Sequence, residues 1–499
     1  MSPTFGSLRI PNYRLWAGGA IVSNTGTWMQ RVAQDWLVLT QLTHDSGVAV
    51  GITTGLQFAP MLLLAPLAGT VADRMNRRRL LMATQTASGV LALVLGVLVI
   101  TDVAQLWHVY LLAGLLGVVA AFDGPARQVF VAELVSMDDL PNAVGLNSAS
   151  FHAGRLIGPG IAGLLINWFG TGPVFLINAA TFGAVLLSLT RMRVADLRPA
   201  PRTPRGRGAM RAGLRYVRGR PDLMLIMALV GMVGTFGLNF QLTTALMART
   251  VFDKGPGEYG LLGSIMAIGS LGGALLAARR EHPRVELVIG ATFAFGGFCL
   301  VSAMMPSYLT FAISLVPVGL SSLTLMTAAN ATVQMSTAPQ FRGRVMALYM
   351  AIFMGGTPIG SPLIGWVGEQ FGARWTILLG GVVSLLSAGA ALAWLAVRGA
   401  ATEASALAEP APARSTPDDG STQPEGVTQQ LVADEGDHVE QGVRDHQRHH
   451  PAAAAEPLAE HQTHHGVAEE RSEPLVKVVA AAQQRADHDA RPVGQAEPA

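Results

Sequence analysis

Long apolar runs separated by short polar turns fill the first 400 residues. A helix crossing a bilayer needs about 20 mostly apolar residues, and runs of that kind recur twelve times. Their expected limits are 13–40, 47–72, 78–101, 105–131, 141–168, 172–192, 222–248, 258–279, 285–305, 308–335, 343–370 and 374–398. The turns between them alternate in charge. Those after the second, sixth, eighth and tenth runs hold Arg77 to Arg79, then ten arginines from Arg191 to Arg220, then Arg279, Arg280 and Arg284, then Arg342 and Arg344. The opposite turns hold only Arg249, Lys254 and Arg374. The turn between the fourth and fifth runs, with Asp138 and Asp139, adds no basic residue, and acidic residues weigh little in this rule. Basic residues stay on the cytoplasmic side, so the pattern predicts both termini there.

The arginine-, proline- and glycine-rich stretch at the centre reads as a linker, residues 193–221, between two six-span bundles, 1–192 and 222–398. An internal repeat agrees. Residues 131–170 and 333–372 align without gaps at an offset of 202, pairing Leu146 with Leu348, Phe151 with Phe353, Gly154 with Gly356, Gly158 with Gly360, Gly163 with Gly365, Phe169 with Phe371 and Gly170 with Gly372. Chance apolar matching is the alternative, but identities that are mostly glycines in one frame favour duplication. The expected fold class is therefore an all-α membrane protein, twelve transmembrane helices in two pseudo-symmetric six-helix bundles.

Composition agrees and adds an asymmetry. Charged residues make up 14% of the chain, against about 25% in an ordinary soluble domain. Residues 401–499 hold 18 acidic and 7 basic side chains of the chain's 33 and 35, which leaves 15 and 28 for the membrane part. Its basicity reads as topology rather than nucleic-acid binding. The tail 399–499 lacks apolar periodicity and is expected to be disordered, with His449, His450, His464 and His465 as solvated low-complexity residues rather than a metal site. Cys299 is the single cysteine, which excludes an intramolecular disulfide. The polar stretch from Met1 to Asn12 predicts no secretory signal, and nothing calls for a cofactor or a metal.

Charges inside spans are functional candidates by default. Trp16 and Trp36 stand 20 residues apart, roughly 30 Å along a helix, as two interfacial anchors do. Asp35 then falls at the outer boundary, where a solvated carboxylate paired with Arg31 is the simpler expectation. Asp123 and Arg127 flank Gly124 and Pro125 about 24 Å below the outer end of the fourth run, as an i,i+4 ion pair or a protonatable switch. Arg155 lies about 21 Å into the fifth run, near its middle. A lone guanidinium there needs an acid, a substrate anion or water, which makes Arg155 the leading candidate for a central site.

The cluster Gly69, Asp73, Arg74, Met75, Asn76, Arg77, Arg78 closely resembles the G-x-x-x-D-R-x-G-R-R loop after the second span of the major facilitator superfamily. Asn76 replaces the second glycine, a residue that tolerates left-handed backbone. The resemblance implies a conformational latch: Asp73 toward the start of the eleventh span, whose helix N-terminus is partly positive, and Arg77 toward an acid at the inner end of the fourth, here Glu133. The corresponding place in the second half, Gly273 to Arg280, lacks the Asp. In the fifth span, Gly154, Arg155, Gly158, Pro159, Gly160 and Gly163 resemble the G-x-x-x-G-P-x-x-G-G signature of drug/proton antiporters, with Ala162 where glycine is usual. Its second-half copy, Gly356, Gly360 and Gly365, means that the pattern also serves plain packing. Asn24, Gly26, Trp28, Met29, Gln30, Arg31 and Trp36, the run Phe122 to Gln128, and Arg342 to Val345 look like the enterobactin-exporter and macrolide-efflux branch.

That branch implies export of hydrophobic drugs or siderophore-like compounds, driven by protons, from a monomer in the bacterial inner membrane. The expected partners are a small-molecule substrate, protons and lipid, without nucleic acid. An inward symporter or facilitator and a non-transporting receptor or scaffold stay open as alternatives. No phosphate-binding glycine loop with lysine and no nucleophile motif is present, which argues against an enzyme.

Overall fold

The computed structural model describes residues 3–198, 209–278 and 284–408, less a few side chains that include that of Asp73. The helices are α1 (Pro11–Leu37, continued by a π-helical turn Val38–Leu42), α2 (Gly47–Arg74), α3 (Arg77–Ile100), α4 (Leu106–Leu134), α5 (Leu140–Phe169) and α6 (Thr171–Arg191). After a linker helix, Ala209–Arg218, come α7 (Pro221–Val251, with two π-helical turns), α8 (Pro256–Ala278), α9 (Val285–Ala303), α10 (Tyr308–Ser336), α11 (Pro339–Phe371) and α12 (Ala373–Ala408). Among the described residues ten helices are long and apolar enough to cross a membrane. The two long helices outside that set, α1 and α5, are 27 and 30 residues long but interrupt their apolar pattern with Asn24, Gln30, Arg31, Gln34 and Asp35, and with Asn147, Ser150, His152 and Arg155.

Local sequence sets the turns. Ser46 caps α2 by accepting from the Ala49 amide at 3.1 Å, and Asn76 caps α3 by accepting from Arg79 at 3.0 Å. The left-handed backbone expected at Asn76 is not found. Its φ and ψ are −66° and 115°, the extended geometry that lets the side-chain oxygen reach the helix amides. Left-handed backbone occurs instead at the other end of the helices. Gly170 (φ 80°) and Gly372 (φ 97°) each turn the chain between two helices at sites one repeat apart, and Asp45, Asp102 and Asp253 also have positive φ.

Two further expectations change. The linker is not wholly irregular, because Arg215 and Arg218 alternate with apolar residues at helical spacing over Ala209–Arg218. Tyr216 stacks on Phe341 at 4.6 Å and its hydroxyl accepts from the Ala338 amide at 3.1 Å, so this helix is fastened to the start of α11. The last helix runs to Ala408 rather than ending at 398, since Ala-Thr-Glu-Ala-Ser-Ala-Leu-Ala continues in strong helix formers. The expected disorder and the four histidines fall beyond it, outside the described residues.

Packing follows the glycines. Helix α1 lies against α5 and α6, α2 against α4, and α3 against α4 and α6; α8 lies against α10, and α9 against α10 and α12. The first and second sets meet through α2 with α11 and α5 with α8. Glycine spacing makes each meeting close. A Cβ on Gly154 would stand 2.9 Å from the Asn24 backbone of α1, and one on Gly163 would stand 2.5 Å from the Pro256 carbonyl oxygen of α8. One repeat later the pattern recurs: Gly356 and Gly360 abut Thr235 of α7, and Gly365 abuts Gly47 of α2. Because there is no hydrophobic drive between helices in lipid, such small-residue contacts carry the association. Gly163→Val is therefore expected to cost about 1–3 kcal/mol through overpacking. Gly290→Ala in α9, where a Cβ meets nothing within 4 Å, should leave stability unchanged or slightly raised. Thermal unfolding of the two purified variants beside wild type checks the contrast.

Candidate functional site

One end of the helices carries Arg77–Arg79 and is here termed the basic end. Arg77 Nη1 donates to Glu133 Oε1 at 2.7 Å, with both side chains 9% exposed, so the structure joins α3 to the end of α4 by a buried ion pair. Arg78 Nε donates to the Leu189 carbonyl oxygen at 2.7 Å, tying α3 to α6. Arg74 is exposed and Gly69 half-buried, while the Asp73 side chain, expected to face α11, lies outside the described residues. Beneath them Tyr13, Trp16, Leu81, Phe130, Leu134 and Leu189 form a compact apolar cluster of their own.

Asp123 is one turn from Arg127, whose Nε donates to Asp123 Oδ2 at 2.5 Å. The carboxylate also accepts from Thr84 Oγ1 and Gln85 Nε2 of α3, each at 2.7 Å. These contacts form the expected i,i+4 ion pair and tie α4 to α3. Arg127 lies over the Trp16 ring at 5.6 Å, its stem and plane covered by aromatic surface.

At the end opposite the basic one, the two sets of helices are fastened together. Glu369 of α11 accepts from Ser46 Oγ at 2.5 Å and from the Val48 amide at 3.0 Å, so an acid of one set caps the first turn of α2 in the other. Arg249 pairs with Asp45 at 3.2 Å. Ser264 Oγ of α8 donates to the Leu156 carbonyl oxygen at 2.7 Å. Asp35 takes part as well. It was expected in water at the boundary, but it is 5% exposed, and Tyr259 of α8 donates to its Oδ2 at 3.2 Å while stacking on Trp36 at 5.8 Å. The correction has a geometric cause: the Tyr259 side chain of α8 reaches over Asp35 and Trp36, a neighbour that position along one helix does not reveal.

Between these two ends α1, α2 and α5 bring five side chains together. Arg31 lies over the Trp28 ring at 5.0 Å and the Phe58 ring at 5.5 Å, and Arg155 lies over the same Trp28 ring at 5.5 Å. Phe151 packs edge-on against Trp28 at 5.8 Å. Among the described residues neither Arg31 nor Arg155 has a carboxylate within 4.0 Å. Arg31 therefore does not form the expected ion pair with Asp35, having turned onto aromatic faces instead. The place is next to the joint between the sets, since Leu156 follows Arg155, and Gly55 and Leu62 flank Phe58 and touch Pro358 and Gly355 of α11.

A family model described as transmembrane secretion effector matches residues 2–419. The chain belongs to that family of major facilitator transporters. This facilitator is 26% identical over 370 residues to the staphyloferrin A transporter of Staphylococcus aureus, covering 72% of this chain and 90% of that one. It is 23% identical over 390 residues to macrolide efflux protein A of Streptococcus pyogenes, covering 76% and 94%. Among solved structures it resembles a bacterial homologue of the human lysosomal transporter Spinster, in an inward-facing and unoccupied conformation, with a TM-score of 0.60 and 16% identity over 78% of this chain and 96% of that one. Relatives of this kind are membrane transporters and not enzymes.

Sequence reasoning singled out Arg31, Asp35 and Arg155 in this facilitator but missed Trp28, Phe58 and Tyr259 as their companions, and Glu369 as the cap of α2. Trp28 was within reach, because it stands three residues before Arg31 on the same helix face. Tyr259 and Glu369 come from helices more than 200 residues away and carried no local signal. At the basic end, removing one member of the Arg77–Glu133 pair leaves a buried charge uncompensated, at a cost of about 3–5 kcal/mol. Glu133→Gln should therefore unfold markedly earlier than wild type. The Arg77→Met, Glu133→Leu double variant should be less destabilised than the sum of its single variants, and additivity in thermal unfolding would count against a coupled pair.

Proposed function

We propose that this facilitator exports small organic molecules, hydrophobic drugs or siderophore-like compounds, by proton-coupled alternating access. In this reading α1 and α5 complete a set of twelve spans, their polar residues turned toward the joint instead of lipid. Residues 1–192 and 222–398 form the two bundles, 193–221 is the linker, the basic end and both termini are cytoplasmic, and the protein works as a monomer in the bacterial inner membrane. The observation that carries the reading is the joint between the sets among the described residues. Polar and glycine contacts between the sets gather at the end holding Asp45, Glu369 and Gly163, and Arg31 and Arg155 lie just beneath them. A joint closed at one end above a central pair of cations is what an inward-facing state requires.

The opposite state needs contacts at the basic end, and the latch residues Gly69, Asp73, Arg74, Arg77 and Arg78 with Glu133 supply them in this reading. Gly154, Gly158, Pro159, Gly160 and Gly163 serve as the close-packed bearing of α5 on α1 and α8. Asp35 is the acid best positioned to link proton binding to the joint, since loss of its charge changes the acceptor that Tyr259 donates to. One proton entering per substrate leaving would draw about 2.3 kcal/mol per 100 mV of membrane potential.

Inverted vesicles loaded with a panel of dyes and siderophores test the reading. Uptake that rises with an imposed proton gradient is expected. Asp73→Asn and Arg155→Ala should each cut it at least about tenfold, equivalent to one lost charged contact of 1.4 kcal/mol or more, with membrane content unchanged. Wild-type flux in both variants would remove these assignments.

A further inference from the structure

The charges available near the centre of the helices form a short and uneven set. In the second set, the stretches 223–248, 259–278, 287–341, 345–368 and 375–397 contain no Asp, Glu, Lys or Arg. The first set supplies Arg31, Asp35, Asp123, Arg127 and Arg155. Asp123 is held by Arg127, Thr84 and Gln85, and Asp35 faces Tyr259 at the closed end. Two guanidinium groups are left over, both within 5.5 Å of the Trp28 centroid.

A guanidinium resting on an aromatic face keeps its N–H donors at the edge of its plane, and among the described residues no hydrogen bond from Arg31 or Arg155 uses them. A desolvated cation without a counter-charge is costly, and two beside each other are more so. Each guanidinium offers a planar fork that matches a carboxylate bidentately. The indole and the Phe58 and Phe151 rings supply an apolar wall beside the forks. A cationic drug would meet two like charges here and only one carboxylate, Asp35, already engaged.

We propose that the cargo is an organic anion, carboxylate groups on a planar or apolar body, seated between Arg31 and Arg155 against Trp28. This rests on the exporter reading for its cargo but not for its test. The site concentrates anions of any size, so inorganic iodide serves as the probe. In purified full-length protein, the part of the tryptophan emission lost in Trp28→Phe is attributed to Trp28, and its quenching by iodide is compared with quenching by caesium. With each ion's quenching expressed relative to its quenching of N-acetyltryptophanamide in buffer, iodide is expected to be about tenfold more effective than caesium, as cationic clefts enrich counter-ions. Benzene-1,3,5-tricarboxylate should protect Trp28 from iodide, whereas tetraphenylphosphonium should not.

In the Arg31→Gln, Arg155→Gln variant the iodide preference should fall toward parity, and in the Arg31→Lys, Arg155→Lys variant it should persist. If the glutamine variant does not fold, the wild-type comparison decides alone. Caesium quenching equal to or above that of iodide overturns the proposal, as does protection by tetraphenylphosphonium, or protection by inorganic phosphate that equals or exceeds that of the tricarboxylate at the same concentration. Absent flux in vesicles leaves this charge preference readable, and a reversed preference leaves export intact, so the two readings fail separately.

Discussion

A polar group inside a bilayer has no water to satisfy it, and that constraint organises this protein. Each charge that the sequence places in a helix interior is either matched by protein donors or covered by aromatic rings. Asp123 collects three donors, Glu133 takes Arg77, Asp35 takes Tyr259 from the other set, and Arg127 lies over Trp16. Arg31 and Arg155 are covered by aromatic rings and, among the described residues, have no carboxylate within 4.0 Å. Both lie beside the joint between the two sets of helices.

Close approach of backbones is the second element. Helices in lipid associate through fit rather than through exclusion of water, so the contacts between the sets are made by glycines set against carbonyl oxygens and the flat faces of prolines. The same three positions recur after 202 residues: Gly154, Gly158 and Gly163 against α1 and α8, and Gly356, Gly360 and Gly365 against α7 and α2. An antiporter signature and a packing repeat are thus one feature seen in two places. The first copy carries Arg155 between its glycines and the second has no arginine there, while the close packing is common to both.

Hydropathy alone undercounts this architecture for an instructive reason. Helices α1 and α5 fall outside the ten apolar ones because they hold Arg31, Asp35 and Arg155 with their amide and hydroxyl neighbours. Periodicity still marks them as long helices, so their existence and approximate limits were readable. Depth along a single helix was a poorer guide. It put Asp35 in water, because position along α1 does not reveal the Tyr259 side chain that reaches over it.

Helix existence, the glycine repeat, the clustering of arginine at one end and the identity of the interior charges were all written into the chain, because each depends on neighbours within one or two turns or on the cost of moving a charge through lipid. Partner choice was not. That Asp35 meets Tyr259, that Glu369 caps α2, that Arg31 and Arg155 share one indole, and that the polar contacts between the sets among the described residues lie toward the end away from Arg77 are decided by which helix faces pack together. Contacts between residues hundreds of positions apart leave no trace in local spacing; only the folded arrangement of the helices sets them.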